Sequence, residues 1–189
     1  MDSCLELLAE QGEGALTLRE ITEAAGANVA AVSYHFGSLR SLCDTAIEHA
    51  LERYLDAQQE AVSALGPEST IEESAAAFAR PMMKALALGG RELAAMRIVS
   101  RAAIDPPERW ARLSPRFERI RADVVRVLRA NLPDVQRQEL IFRTRCVAGM
   151  LAWVALAPVG AELTNKSEKQ IERLLVPLVA GAFRGTPRA

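Results

Sequence analysis

Apolar residues recur along this chain at three- and four-residue steps, and the steps are broken at regular intervals by Gly, Pro, Asn and Asp. That is the signature of consecutive amphipathic helices; alternating strand patterns are not seen. A short helix is expected over Asp2 to Gln11, stopped by Gly12 and Gly14. Thr17-Leu-Arg-Glu20 reads as a capping box, in which hydroxyl and carboxylate satisfy each other's backbone N–H, opening a helix to about Ala25. Gly26 supplies a permissive turn, and Asn28 is a good N-cap for a third helix, Val29 to Phe36. Ser38 can cap a much longer fourth helix, in which Leu42, Ala46, Ala50, Leu51, Tyr54 and Leu55 share a face.

Further on, Gly66-Pro67 ends that helix, and a second capping box, Thr70-Ile-Glu-Glu73, opens one to about Ala87 that Pro81 should kink or limit. Gly89-Gly90 precedes a helix over Arg91 to Ala103, and Asp105-Pro-Pro107 breaks the chain. An Arg-rich helical stretch to Asn131 follows, interrupted at Ser114-Pro115. After Leu132-Pro133-Asp134, with Asp134 as candidate cap, a helix runs to about Ala157. Ser167-Glu-Lys-Gln170 caps the last helix, where Ile171, Leu174, Leu175, Leu178, Val179, Ala182 and Phe183 form one apolar stripe. The expected fold class is all-α, with about nine helices.

Composition supports this reading. At 50% hydrophobic and 25% charged residues the chain can bury a core, so intrinsic disorder is excluded. Ala, Leu, Arg and Glu dominate, and these residues lose little freedom in a helix. Cys4, Cys43 and Cys146 are far apart in sequence, with no CxxC or Cys/His spacing, so neither a metal site nor a disulfide framework is indicated. The start of the chain carries no basic segment followed by an apolar one, and a cytoplasmic setting is expected. The longest uncharged run, Cys146 to Ala161, contains Pro158 and falls short of the roughly 18 residues of a membrane span. No Ser/His/Asp grouping or phosphate loop points to an enzyme or a cofactor.

The informative window is Thr17 to Phe36. Two short helices joined by a tight glycine turn are the helix-turn-helix plan. Ile21, Ala24 and Ala25 are expected to pack the first helix, and Val32 and Phe36 the second. Ala30, Ala31, Ser33 and Tyr34 are then free to face a groove, where small side chains allow close approach to base edges and hydroxyls can donate to phosphates or bases. With Thr17, Ile21, Ala25-Gly26, Ala30-Ala31-Val32, Tyr34-His35-Phe36-Gly37-Ser38 and Leu42 in order, the window resembles the N-terminal domain of TetR-family regulators. The resemblance covers about a quarter of the chain.

It implies a helix-turn-helix domain over residues 1–38 (motif 17–36), a connecting helix over 39–65, and a ligand-binding and dimerisation domain over 66–189. Thr17, Leu18 and Arg19 would then lie at a phosphate, with Asn28 near the groove. Ala30, Ala31, Ser33, Tyr34 and His35 would face bases or backbone, and Ser38 to Arg40 would place a helix N-terminus against a phosphate. Leu39 stands where the family usually has lysine, and Arg40 is the neighbouring substitute. The implied partners are an operator in double-stranded DNA and a second copy of the chain, with no membrane. The second copy would meet the helices at about 136–157 and 167–184, where Ala148, Gly149, Ala152 and Ala155 would permit close approach. The effector is expected to be a small apolar or amphipathic molecule. Candidate ligand residues are Met82, Met83, Leu86, Met96, Trp110, Phe117, Phe142, Met150 and Trp153, with Arg97 or Arg101 for a carboxylate.

Charge qualifies the DNA expectation. Residues 1–55 hold three arginines and no lysine against nine carboxylates, in a chain of net charge −1. Few cations predict weak non-specific DNA binding and a shallow salt dependence. A helical ligand-binding or interaction protein with weakened DNA binding is the competing expectation. Arg109, Arg112, Arg116 and Arg119 would share a helix face, either solvated or at the entrance for an anionic ligand.

Overall fold

The structure is a computed structural model describing residues 1–104, 111 and 113–185. Among these residues the chain is all-helical, with ten α-helices and one 3-10 turn at Glu13–Ala15. The first four helices are α1 (Asp2–Gln11), α2 (Leu18–Ala25), α3 (Val29–Phe36) and α4 (Leu39–Ser63). Their junctions follow from local chemistry. Thr17 N–H donates to Glu20 Oε2 at 2.9 Å and Glu20 N–H returns to Thr17 Oγ1 at 3.3 Å, closing the capping box. Gly26 ends α2 at φ 60, ψ 30, a left-handed conformation that side chains resist. Asn28 Oδ1 accepts from Ala30 N–H at 2.8 Å to start α3, and Ser38 Oγ accepts from Ser41 N–H at 3.1 Å to start α4. Each such cap stabilises its helix by about 1 kcal/mol.

The remaining helices are α5 (Ile71–Leu88), α6 (Gly90–Ile104), α7 (Ser114–Asn131), α8 (Arg137–Leu156), α9 (Pro158–Leu163) and α10 (Glu168–Arg184). α10 lies on α5, with Phe183 and Phe78 edge to face at 5.9 Å between ring centroids. α8 packs on α6 and α7, while α6 also carries α1 on its other flank. Leu140, Thr144, Val147, Leu151 and Ala155 are the buried line of α8, spaced by three and four residues.

Several expectations change. α9 is a helix the sequence reading merged into the break after Ala157; Pro158 occupies its first turn, where no backbone N–H is needed. Gly160 permits this tight reversal, since a Cβ there would meet the Val154 carbonyl oxygen at 2.1 Å. Asp134 does not cap α8: the helix begins at Arg137 with Gln136 as N-cap and no side-chain cap bond. α7 begins at Ser114, with Pro115 in its first turn; most of the Arg-rich stretch expected before it, and the Asp105-Pro-Pro107 break, lie outside the described residues. Pro81 does not end α5, which continues to Leu88 around it. Buried Gln58 on α4 donates to the Phe78 carbonyl at 3.1 Å, supplying a donor to α5 beside the place where Pro81 has none.

Two arginines close helix ends. Arg101 Nη1 and Nη2 donate to the carbonyls of Leu8 and Ala9 at 3.1 and 3.0 Å, adding a second donor to Leu8, which already accepts from Gly12 N–H, and supplying one to Ala9 in the last turn of α1. Arg143 donates to the Phe183 carbonyl at 2.8 Å and to that of Arg184, tying the end of α10 to α8; Glu139 holds its other nitrogen. Cationic caps at these positions also suit the negative end of the helix dipole. Among the described residues, no helix is long and apolar enough to cross a membrane.

Candidate functional site

The first candidate surface is α3. It has no fully buried residue; Val32 and Phe36 are half-buried against the core and hold it in place. Ala30, Ala31, Ser33, Tyr34 and His35 are exposed, with Tyr34 at 86%. Tyr34 and His35 meet edge to face at 5.4 Å. The helix thus presents small side chains flanked by two ring donors, a surface able to enter a major groove. Thr17 is exposed at the start of α2, and Leu18 is half-buried beside it. Arg19 is exposed but pairs with Glu23 at 2.8 Å. Asn28 and Ser38 serve as helix caps, and Arg40 is exposed on the first turn of α4.

Ala24 and Ala25 do not pack α2 as expected. Both are exposed, and the buried pair is Ile21 with Thr22, whose hydroxyl donates to the Arg19 carbonyl at 2.9 Å. Leu39, where a cation was looked for, is half-buried against the core. Cys4 on α1 and Cys43 on α4 lie side by side in the core, with Sγ–Sγ 3.8 Å. This contact, and after it burial, push the Cys4 thiol far up from its ordinary value. The distance between the two cysteines in sequence gave no sign of that contact.

The second candidate is a cavity of about 660 Å³ enclosed by α4 to α8. Ligand pockets usually hold a few hundred to about 1,000 Å³, so it suits a small organic molecule. Of the expected lining residues, Met82, Met96 and Phe117 are there. Met83 and Leu86 are buried in the core outside the lining, and Met150 is half-buried outside it. Arg97 Nε donates to the Ala155 carbonyl at 3.3 Å, and Arg101 closes α1; neither lines the cavity. Trp110, Arg109 and Arg112 lie outside the described residues. Arg116 pairs with Asp56, and Arg119 is exposed.

The sequence reading missed the α4 wall, Leu51, Tyr54 and Gln58, and the polar members Ser100, Ser114, Glu118, Arg121 and Arg145. Period alone shows that a helix has an apolar face, not which neighbour that face meets. Burial pushes the Tyr54 phenol up to about 12, against a smaller opposing effect of its hydrogen bond with Gln58. Tyr54 therefore enters the cavity wall as a neutral group, its ring tilted against that of Phe117 with 6.4 Å between centroids.

Phe142 and Trp153 do not enter the cavity at all. They are 66% and 63% exposed on the outer face of α8. The apolar stripe expected on α10 is in fact two faces. Ile171, Leu175, Val179 and Phe183 are buried within the chain, whereas Leu174 and Leu178 are 48% and 61% exposed. Ala152 and Ala155 are turned into the chain's own core and Ala148 is half-buried, so they are not a surface for a mate; Gly149 is exposed.

Known proteins agree with this arrangement. Residues 1–44 match the family model of bacterial regulatory proteins, tetR family, and residues 76–182 match that of the tetracyclin repressor-like C-terminal domain. No curated protein matches the chain. Among solved structures, the TetR family transcriptional regulator PfmR from Thermus thermophilus is similar in fold, with a TM-score of 0.69 at 18% identity, covering 100% of this chain and 95% of that one. An exposed recognition-type helix at one end, a helical cavity at the other and both halves of the family pattern in order place the chain in the TetR family of DNA-binding transcriptional regulators.

Proposed function

We propose that the protein is a homodimeric repressor that leaves its operator when a small molecule enters the cavity between α4 and α8. The observation that carries this reading is the course of α4. It starts at the Ser38 cap directly after α3 and runs unbroken to the cavity wall, where Leu51, Tyr54 and Gln58 lie. An occupant that moves this wall moves the base of α3 with it. The division into residues 1–38, 39–65 and 66–189 belongs to the same proposal.

The dimer uses the outer faces of α8 and α10. Phe142, Trp153, Leu174 and Leu178 leave large apolar side chains in water there, and a second copy would cover them. Two recognition helices can then meet successive major grooves, about 34–36 Å apart. The effector favours a state of the dimer that loses this spacing.

The direct test is a mobility shift with the DNA upstream of the protein's own gene, at low salt. A shifted band that is lost on adding an apolar probe supports the proposal. No shift at low salt favours the second reading, a ligand-binding helical protein with weakened DNA binding. The charge of residues 1–55 and the Arg19–Glu23 pair give that reading its support.

A further inference from the structure

The cavity has apolar walls, including Leu51, Phe78, Met82, Met96, Val99 and Ile120. One side differs. Glu118 and Arg121 on α7 and Arg145 on α8 line it together. Arg121 Nη1 and Arg145 Nη2 both engage the same carboxylate oxygen, Glu118 Oε1, the latter at 3.5 Å. The two guanidiniums hold the Glu118 carboxyl below its ordinary range, Arg121 having the larger effect, so it is charged at neutral pH. Two cations on one anion leave one positive charge uncompensated among the described lining residues. The Arg121 side chain is only 17% exposed, whereas that of Arg145 is 61% exposed, so the charge extends from the cavity's inside to its mouth.

We infer that the effector is an amphipathic monocarboxylate, its apolar body in the cavity and its carboxylate held by Arg121 and Arg145. A planar guanidinium matches a carboxylate through two parallel N–H bonds, and partial burial makes such a bond stronger than in water. A single negative charge neutralises the site, whereas a dianion would leave it charged in a partly dry place. A neutral head would leave the surplus charge to be met by water at the Arg145 side alone and would gain nothing from it. The remaining polar wall side chains, Ser100, Ser114 and the Tyr54–Gln58 pair, carry no formal charge and do not compete for the head. This inference rests on the reading of the cavity as the effector site.

The experiment is displacement of the neutral dye N-phenylnaphthylamine from the full-length protein by matched pairs: decanoate against decanol, and phenylbutyrate against phenylbutanol. At least one acid is expected to bind about tenfold more tightly than its alcohol, the gain of a charge-assisted contact. Arg121→Gln should remove that difference and Arg121→Lys keep part of it. Arg145→Gln, at a more exposed position, gives the same reading if the first variant folds poorly. Glu118→Gln should strengthen acid binding and leave alcohol binding unchanged, a response that a purely structural role would not produce. Alcohols that match their acids in every pair, or acid binding indifferent to both arginine variants, overturn the carboxylate head while the dye still reports an occupied cavity. A dye that does not bind, or whose binding ignores the cavity-filling Met96→Trp, overturns the effector cavity itself and the inference with it.

Discussion

Arg101 on α6 donates to the carbonyl of Leu8 on α1 at 3.1 Å, across 93 positions of sequence. The same α6 lends Met96, Val99 and Ser100 to the cavity wall. A side chain on a cavity-lining helix therefore holds the end of the first helix of the DNA-facing unit. Arg101→Gln is expected to lower stability by about 1–2 kcal/mol, less than two fully buried charged hydrogen bonds would, because the side chain is partly solvated. It should also shrink the effect of a cavity probe on DNA binding more than it changes DNA binding without the probe. Melting curves and mobility shifts with and without probe measure both; an undiminished response excludes Arg101 from the coupling.

Arg40 is the exposed cation nearest the end of α3, since Leu39 is occupied in packing and Arg19 is paired. Arg40→Gln should reduce the slope of log affinity against log salt by about 1, as one released counterion per lost phosphate contact requires. Affinity titrations at three salt concentrations decide it, and an unchanged slope would remove Arg40 from the interface.

Leu174 and Leu178 are exposed on α10 while their neighbours Leu175 and Val179 are buried. Leu174→Glu with Leu178→Glu should therefore yield a folded monomer, because no internal contact of comparable burial is lost. Sedimentation shows the mass and circular dichroism the retained helix. A dimer that persists places the interface elsewhere.

Asp2, Glu20, Glu72 and Glu118 all have carboxyl pKa values below their ordinary 3.8 or 4.5, through Arg91, Thr17, Arg184 and Arg121 respectively. A carboxyl depressed in the folded state favours folding above its ordinary value, and that contribution is lost as pH falls through the folded value. The melting temperature should thus be flat from neutral pH down to the ordinary carboxylate range and fall below it. Added salt should weaken the effect, because these pairs are largely exposed. A melting temperature that falls between neutral pH and about pH 6, above the whole carboxylate range, would show that other groups govern acid stability.

Cys4 and Cys43 are in contact, buried at 0% and 1% exposure, whereas Cys146 is exposed. Only a thiolate attacks quickly, and the raised Cys4 thiol stays protonated. An aromatic disulfide reagent should therefore leave Cys4 and Cys43 unlabelled in native protein, label Cys146 rapidly only where the second copy does not cover its face of α8, shared with Phe142 and Trp153, and label all three in denaturant. Rapid labelling of more than one would mean that the core around α1 and α4 opens readily.

The local sequence was enough to define the helices of the first half and their order. The Thr17–Glu20 and Thr70–Glu73 boxes, the Asn28 and Ser38 caps and Gly26 act within three or four residues, so their outcome depends little on the rest of the chain. The exposure of Ala30, Ala31, Ser33 and Tyr34 was legible for the same reason, given Val32 and Phe36 as the packing side. What faces what was decided only in three dimensions. Leu174 and Leu175 are alike in chemistry, yet one is exposed and the other buried, because α5 covers a single side of α10. Phe142 and Trp153 have the composition of a ligand pocket but stand outside, whereas Tyr54, Gln58 and Arg121 stand inside. Arg101 reads as a ligand cation until α1 is seen to end beside it. Helix period fixes an apolar face but not its neighbour, and contacts across 39 or 93 positions leave no local trace in the chain.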